Sequence, residues 1–318
     1  MRPCIYISRP LPNVVVERAE EHFDVTMRLD TSPMTKGEIR EVLSQYDGFL
    51  PTLRDPLDGD VFDGGIKTKV IANFGVGYNH IDVAAANGAG IVVCNTPGAV
   101  TDATADIAMM LALMTARRAS EGEALLRAGK WEGWHPTQLL GMHLGGKTLG
   151  IIGMGNIGKA MAKRAHFGFG MDVVFYNRSR VDDFGVPAKQ MDSIIDVMRA
   201  SDVVSLHIPG GGANRHMIGA AELAAMKPQA ILVNTARGDV IDETALIKAL
   251  NAGTIAGAGL DVFEHEPEVP EALIAMKNVT LLPHLGTASL DVRSDMGLLA
   301  VENLRVFFTG DTPPNQIG

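Results

Sequence analysis

The chain has 318 residues, 46% of them hydrophobic, and a formal net charge of −9 without a run of Lys or Arg. That length accommodates two domains with sizeable cores, and the charge excludes a nucleic-acid backbone binder, which needs concentrated positive charge. The two cysteines, Cys4 and Cys94, each sit in an apolar run without metal or redox spacing, so both read as small buried hydrophobes.

No signal peptide is recognisable, because the apolar stretch at residues 4–7 is short and Pro10 follows it closely. The most apolar helix candidate, residues 107–114, falls short of the roughly 18 residues that a membrane span requires. A soluble cytoplasmic protein without a membrane or nucleic-acid partner is expected.

Residues 1–98 alternate β-like runs at 4–8, 25–29, 48–53, 70–74 and 91–95 with helical patterns at 14–23 and 35–46. This is the rhythm of βαβ units and a parallel sheet. Thr35 and Glu38 have capping-box spacing, which starts the second helix. A long helix beginning at Thr101 or Asp102 runs to Arg117 and Arg118. Apolar nearly all round, it is expected to lie buried between two bodies, and its last arginines suit the negative end of the dipole. A more polar segment with Trp131, Trp134 and Pro136 follows.

Residues 148–158 form an apolar strand that runs into GxGxxG: Gly153, Met154, Gly155, Asn156, Ile157, Gly158. In the strand–turn–helix context Gly153 permits a tight turn, Gly155 admits a pyrophosphate, Gly158 lets helix and strand pack, and the helix N-terminus supplies N–H donors. A second strand at 172–176 completes the βαβ unit of a dinucleotide site. The series continues with strands at 203–208, 231–234, 255–262 and 279–282 and helices at 220–226 and 243–251. The last helix, 291–308, follows the completed nucleotide domain and is placed to cross back to the first. The fold class expected is α/β, with two Rossmann-like or flavodoxin-like parallel-sheet domains and an active-site cleft between them.

In open α/β sheets ligands bind beyond the carboxyl ends of the strands. There the chain places Thr235-Ala236-Arg237, Asp261 with Glu266, His284 with Gly286, and Gly75-Val76-Gly77. An arginine, a carboxylate and a histidine beside a nicotinamide match the needs of reducing a 2-keto acid. Arg237 can grip the carboxylate through its planar fork, His284 can give a proton to the carbonyl oxygen, and Glu266 would favour the charged imidazole. The Gly75–Gly77 turn offers N–H groups to the same carboxylate. Asp261 is either a buried structural carboxylate or an acceptor for the nicotinamide amide. Of the remaining histidines, only His207, at a strand end, is read as a neighbour of the cofactor.

At these residues the chain resembles the D-isomer specific 2-hydroxyacid dehydrogenases, and within them the glyoxylate/hydroxypyruvate reductases. The resemblance is nearly full length, carried by the runs at 73–82, 95–98, 101–106, 153–158, 234–238, 259–267 and 282–286. It implies that the catalytic Arg, Glu and His fall on Arg237, Glu266 and His284. It also implies a discontinuous substrate domain (1–98 plus 288–318), a dinucleotide-binding domain (99–287), closure of the two, and a homodimer. The candidate cofactor-binding residues are Thr104, Gly153, Gly155, Asn156, Ile157, Gly158, Asn177, Arg178, Ser179, Arg180, His207, Pro209, Asn214, Thr235, Ala236, Asp261 and Gly286. The candidate substrate-binding residues are Leu53, Val76, Gly77, Arg237 and Trp134; for Trp134, reach toward the partner's active site and a plain dimer-core role stand side by side. No metal is expected.

Asn177 occupies the place where an acidic residue normally binds the adenosine ribose, and Arg178, Ser179 and Arg180 follow. Two guanidinium groups and a hydroxyl would attract a 2′-phosphate, so NADPH is expected over NADH; arginines merely solvated at a turn are the alternative. The stretch 209–214, Pro-Gly-Gly-Gly-Ala-Asn, departs from the family's threonine-bearing turn and is expected to be mobile. Two other functions compete: a dehydrogenase for bulkier 2-hydroxy acids, and a non-enzymatic dinucleotide-sensing module. A phosphoglycerate dehydrogenase with a regulatory tail is disfavoured, since little chain follows the last helix.

Overall fold

A computed structural model describes residues 2–182 and 185–318. Contacts within it divide the chain into two compact units, Met1–Val100 with Thr287–Gly318, and Thr101–Gly286. In chain order, the first unit contains β1 (Cys4–Ile7), α1 (Asn13–His22), β2 (Asp24–Met27), α2 (Lys36–Gln45), β3 (Gly48–Leu50), β4 (Val70–Ala72), α3 (Val83–Gly88) and β5 (Val92–Cys94). The second holds α4 (Thr101–Ala116), α5 (Ala119–Arg127), β6 (Thr148–Ile152), α6 (Asn156–Phe169), β7 (Asp172–Tyr176), β8 (Ala188–Gln190) and α7 (Ile194–Ala200). It continues with β9 (Val203–Leu206), α8 (Ala220–Ala225), β10 (Ile231–Asn234), α9 (Glu243–Asn251), β11 (Gly257–Leu260), α10 (Glu271–Ala275) and β12 (Val279–Leu281). The chain then returns to the first unit with α11 (Leu290–Phe308) and β13 (Gln316–Ile317).

The sheet of the first unit runs β13-β5-β4-β3-β1-β2, parallel except for the antiparallel β13. Strand order reverses between β1 and β3, so loops leaving these neighbours part toward opposite faces and open a crevice. Ile5 and Ile7 of β1 pack with Val15, Ala300 and Leu304 on one face, while Phe49 and Ile71 pack with Ile39 and Leu43 on the other. The capping box forms as expected: Glu38 N donates to Thr35 Oγ1 at 3.2 Å and Thr35 N to Glu38 Oε2 at 2.7 Å. β2 stops short of the expected 25–29, because Arg28 turns to pair with Asp30 at 3.1 Å and Leu29 is left 77% exposed.

The second sheet is wholly parallel, in the order β12-β11-β10-β9-β6-β7-β8, and reverses between β6 and β9. β9, β10 and β11 are buried along their whole length, which is why they read as apolar runs interrupted only by Ser205 and Asn234. The strand expected at 255–262 is only Gly257–Leu260; Ile255 and Val262 are buried but lie outside the ladder, so apolar character marked burial beyond pairing. The segment expected to be merely polar begins with α5, a helix with no buried residue that carries a Glu123–Arg127 ion pair at 2.7 Å. Among the described residues no helix is long and apolar enough to cross a membrane, and no group of three or more His, Cys, Asp or Glu could hold a metal.

Candidate active site

The β6–α6 turn is built by close approach. Gly153 has φ +97°, and a Cβ there would overlap the His207 carbonyl; one on Gly158 would overlap the Gly153 carbonyl. The helix N-cap is Gly155, without a side-chain cap, and a Cβ on it would meet nothing within 4 Å. The N–H groups of Asn156, Ile157 and Gly158, in the first turn at the positive end of the dipole, make no hydrogen bond among the described residues. At the exit of β10, two strands along the same sheet edge, Thr235 Oγ1 is buried without a hydrogen-bond partner among the described residues. An uncapped helix end and an orphaned hydroxyl fit a dinucleotide, whose phosphates accept and whose ribose and amide groups do both.

Asn177 ties the glycine turn to its neighbour: Met154 N donates to its Oδ1 at 3.2 Å, and its Nδ2 donates to Ser179 O and Oγ at 3.1 and 3.0 Å. Both ends of that amide are thus engaged within the protein. Arg180 pairs with Asp182 at 2.9 Å, with both side chains more than 80% exposed. Arg178 is exposed and makes no hydrogen bond or ion pair among the described residues. The expected mobile stretch is tied down: Gly211 N donates to Asp239 Oδ2 at 2.7 Å, and Asn214 Nδ2 to Pro209 O at 2.9 Å.

The exits of β10, β11 and β12 carry the three candidate catalytic residues. Asn234, the last residue of β10, scaffolds its own turn by accepting from Ala236 N at 3.0 Å and donating to the Arg237 carbonyl at 2.8 Å. Gly238 follows because any side chain there would overlap the Phe263–Glu264 peptide. Burial pulls the Arg237 guanidinium below its ordinary value, against the nearby charges of Glu266 and Asp239. His284 sits after β12 in a left-handed conformation, φ +56°, with its N–H donating to Asp261 O at 2.9 Å. For a residue other than glycine that backbone persists only when its surroundings hold it.

The His284 ring meets Glu266 through Nδ1, at 2.9 Å from Oε2 and 3.2 Å from Oε1. Phe263 N also donates to Glu266 Oε1 at 3.1 Å. Burial pushes the Glu266 carboxyl up, but the His284 hydrogen bond and charge, the Phe263 N–H and the Arg237 charge outweigh it and hold the carboxyl below its ordinary range. Asp261 behaves oppositely: burial keeps its pKa raised despite the Leu285 N–H, the His284 charge and the Gly286 N–H. Its oxygens accept from Leu285 N at 2.6 Å and Gly286 N at 2.8 Å, so it shapes the turn that carries His284, and Thr104 Oγ1 donates to Gly286 O at 3.4 Å. His207 packs against Gly153 and shares a 2.9 Å hydrogen bond with Ser205; burial depresses its pKa to about 4, which keeps the ring neutral.

The first unit holds the other candidates. Asn73 Nδ2 donates to Gly75 O and Gly77 O at 2.9 and 3.1 Å, and Asn95 Nδ2 to Val76 O at 2.9 Å. With its carbonyls held from within, the turn leaves the Val76 and Gly77 N–H groups without a partner among the described residues, and paired backbone donors of this kind are able to meet an anion. Sequence reasoning assigned Asn73 and Asn95 no role of their own; their signal was position, each just past an apolar strand and two residues before a glycine or proline. Leu53 follows β3 half-buried, and Trp134 is 80% exposed in an irregular segment.

Residues 109–286 match the family model of the D-isomer specific 2-hydroxyacid dehydrogenase, NAD binding domain. The chain is 43% identical to the glyoxylate reductase of Thermococcus litoralis, covering 100% of this chain and 97% of that one. It is 44% identical to that of Korarchaeum cryptofilum, at 100% and 96%. Among solved structures, the NADPH-dependent glyoxylate/hydroxypyruvate reductase of Sinorhizobium meliloti in complex with NADP and malonate is similar at TM-score 0.87 and 36% identity, covering 100% of this chain and 97% of that one. A glyoxylate reductase from Paecilomyes thermophila gives 0.88 and 34%, at 99% and 98%.

Proposed function

Because the chain belongs to the D-isomer specific 2-hydroxyacid dehydrogenase family, we propose that Arg237, His284 and Glu266 reduce small 2-keto acids of the glyoxylate and hydroxypyruvate type to D-2-hydroxy acids. The protein is a nicotinamide-dependent keto-acid reductase. A dinucleotide held by Gly153, Gly155, Asn156, Ile157, Gly158 and Thr235 supplies the hydride when bound.

One observation carries the roles: a half-buried guanidinium and an imidazole–carboxylate pair lie at adjacent strand exits of one sheet. Arg237, short of water, gains more from a carboxylate than an exposed arginine would, and a bidentate grip orients the adjacent carbonyl. Glu266 accepts from Nδ1 of His284, which fixes the ring and leaves Nε2 to hold the proton given to the carbonyl oxygen. Asp261 keeps the His284 turn in place and offers its remaining lone pairs to a carboxamide. Val76 and Gly77 supply N–H donors for an anion, with Leu53 beside them.

NADPH is the preferred reductant, because Arg178 is uncommitted and the Ser179 hydroxyl stands next to it. The remaining cofactor contacts are assigned to Thr104, Asn177, Arg180, His207, Pro209, Asn214, Ala236 and Gly286. The chain works as a homodimer; the support is four exposed large apolar side chains within one stretch of 15 residues, Leu126, Trp131, Trp134 and Leu140. A cytoplasmic setting suits two unpaired cysteines. The test follows NADPH and NADH absorbance with glyoxylate and hydroxypyruvate. Turnover with D-glycerate as the hydroxypyruvate product is expected, and no oxidation with either acid would overturn the reading in favour of a sensing module.

A further inference from the structure

Strand order in the first unit reverses between β1 and β3, and the exits at that reversal are more elaborately built than a connecting loop requires. Ser8 and Arg9 leave β1, while Thr52, Leu53, Arg54 and Asp55 follow β3. The two exits are joined by Ser8 Oγ and Thr52 Oγ1 at 3.2 Å and by Thr52 N donating to Ser8 Oγ at 3.0 Å. Asp55, fully buried, accepts from Arg9 Nη2 at 2.9 Å, Met34 N at 3.1 Å and Thr52 N at 3.0 Å. Arg9 also donates to Thr52 Oγ1 and to the Leu53 carbonyl. Every one of these bonds fixes the short stretch that presents Leu53 and Arg54.

Arg54 itself is exposed with φ +78°, a conformation that residues with a Cβ adopt at a cost and that functional positions are known to hold. Its guanidinium makes no hydrogen bond or ion pair among the described residues. Neighbouring cations are already matched: Arg9 by Asp55 at 2.9 Å, and Arg28 by Asp30 and Glu38 at 3.1 and 3.5 Å. Arg54 is therefore the surplus positive charge at this edge, and its charge reaches Arg9, whose pKa is lowered first by burial and then, against Asp55, by Arg28 and Arg54. The Val76–Gly77 N–H pair stands on the adjacent exit, since Thr52 and Phe74 form a parallel bridge and bridged strands lie about 4.8 Å apart. An extended arginine spans that spacing.

We propose that Arg54 is a specificity residue that binds a second anionic group, so that the preferred substrate is a 2-keto acid carrying a distal carboxylate or phosphate. The inference rests on the keto-acid reductase reading and narrows its substrate class: one carboxylate occupies the Val76–Gly77 N–H pair, and the distal anion meets the Arg54 fork. Leu53, fixed between them, packs against the carbon chain.

The experiment compares kcat/KM within matched pairs: 2-ketoglutarate against 2-ketopentanoate, oxaloacetate against 2-ketobutyrate, and 3-phosphohydroxypyruvate against hydroxypyruvate. At least one charged member is expected to exceed its neutral counterpart by about tenfold, the worth of one charge-assisted hydrogen-bonded pair. Whether the carboxylate or phosphate pair shows the larger ratio identifies the anion. Arg54→Gln is expected to bring that ratio to near unity, and so is Arg54→Gly, which removes the charge while suiting the positive φ. Raising salt from roughly 0.05 to 0.5 M should shrink the wild-type ratio. A wild-type enzyme that turns over glyoxylate without preferring any charged member overturns this inference and leaves the reductase reading standing. Retention of the preference in Arg54→Gly also overturns it, because the residue would then act through its backbone alone. Failure to turn over any keto acid overturns both.

Discussion

Replacing Glu266 with Gln separates charge from shape at the imidazole. Glutamine keeps an oxygen that can accept the Nδ1 proton, so ring orientation survives and only the negative charge is lost. Two unit charges about 4 Å apart attract by about 4 kcal/mol at an effective dielectric of about 20. The His284 and Glu266 side chains are 30% and 20% exposed, so solvent screening leaves about 2–3 kcal/mol. At about 1.4 kcal/mol per factor of ten, that predicts a fall of about 30- to 150-fold in kcat. The carboxyl lies below its ordinary 4.5, so it is ionised throughout the neutral range and the loss should be full at pH 7. Its stabilising share is complete above the ordinary value and disappears only as acid brings the pH through the lowered one. Steady-state rates with glyoxylate and saturating NADPH, with nucleotide affinity measured separately by fluorescence, provide the assay. The reasoning is refuted if kcat is unchanged, or if the whole effect appears as weaker dinucleotide binding.

Arg178→Ala should raise the KM for NADPH by about tenfold or more while leaving that for NADH nearly constant, because a charge-assisted contact to phosphate is lost only where a phosphate exists. Arg180→Ala should do less, its guanidinium being held by Asp182; parallel changes with both nucleotides would remove the argument. His207 carries a pH prediction: its pKa of about 4 lies below the ordinary 6.5, so between these values the unfolded chain binds the extra proton and stability falls as pH falls. The full difference corresponds to about 3 kcal/mol, an upper bound because the ring is enclosed while the residue as a whole is only half-buried. Urea unfolding at pH 7 and pH 5 should show a smaller loss for His207→Asn than for wild type, and equal losses would show that the ring is hydrated.

What the sequence disclosed follows from which interactions are local. The glycine turn was legible because Gly153 turns the chain at φ +97° and Gly158 answers to the Gly153 carbonyl within one strand–turn–helix unit, and the capping box because both its bonds span three residues. Arg237, Glu266 and His284 could be gathered because a parallel sheet brings all its strand ends to one edge, so position after an apolar run is already a coordinate in space. The commitments of Asn177, Asp182 and Asp261 were not legible. Each depends on which of several nearby partners a polar side chain reaches, a choice made by the packed chain rather than by spacing. The same holds for Asn73 and Asn95, whose amides hold three carbonyls of one turn across residue separations from 2 to 19.

The two strand-order reversals show how one topological device serves different chemistry. In the second unit the crevice between β6 and β9 is lined by Gly153 and by a neutral His207, so an anion there is met by backbone N–H groups and a helix dipole. Such donors suit a diphosphate, which is large, recurs in every dinucleotide and needs no discrimination. In the first unit the crevice between β1 and β3 is lined by charged side chains in fixed array, with one guanidinium left over. A side chain can be exchanged without rebuilding the turn beneath it, and that is where selection among small anions is expected to act. Substrate range in this chain should therefore respond to substitutions at 53 and 54, and dinucleotide binding should not.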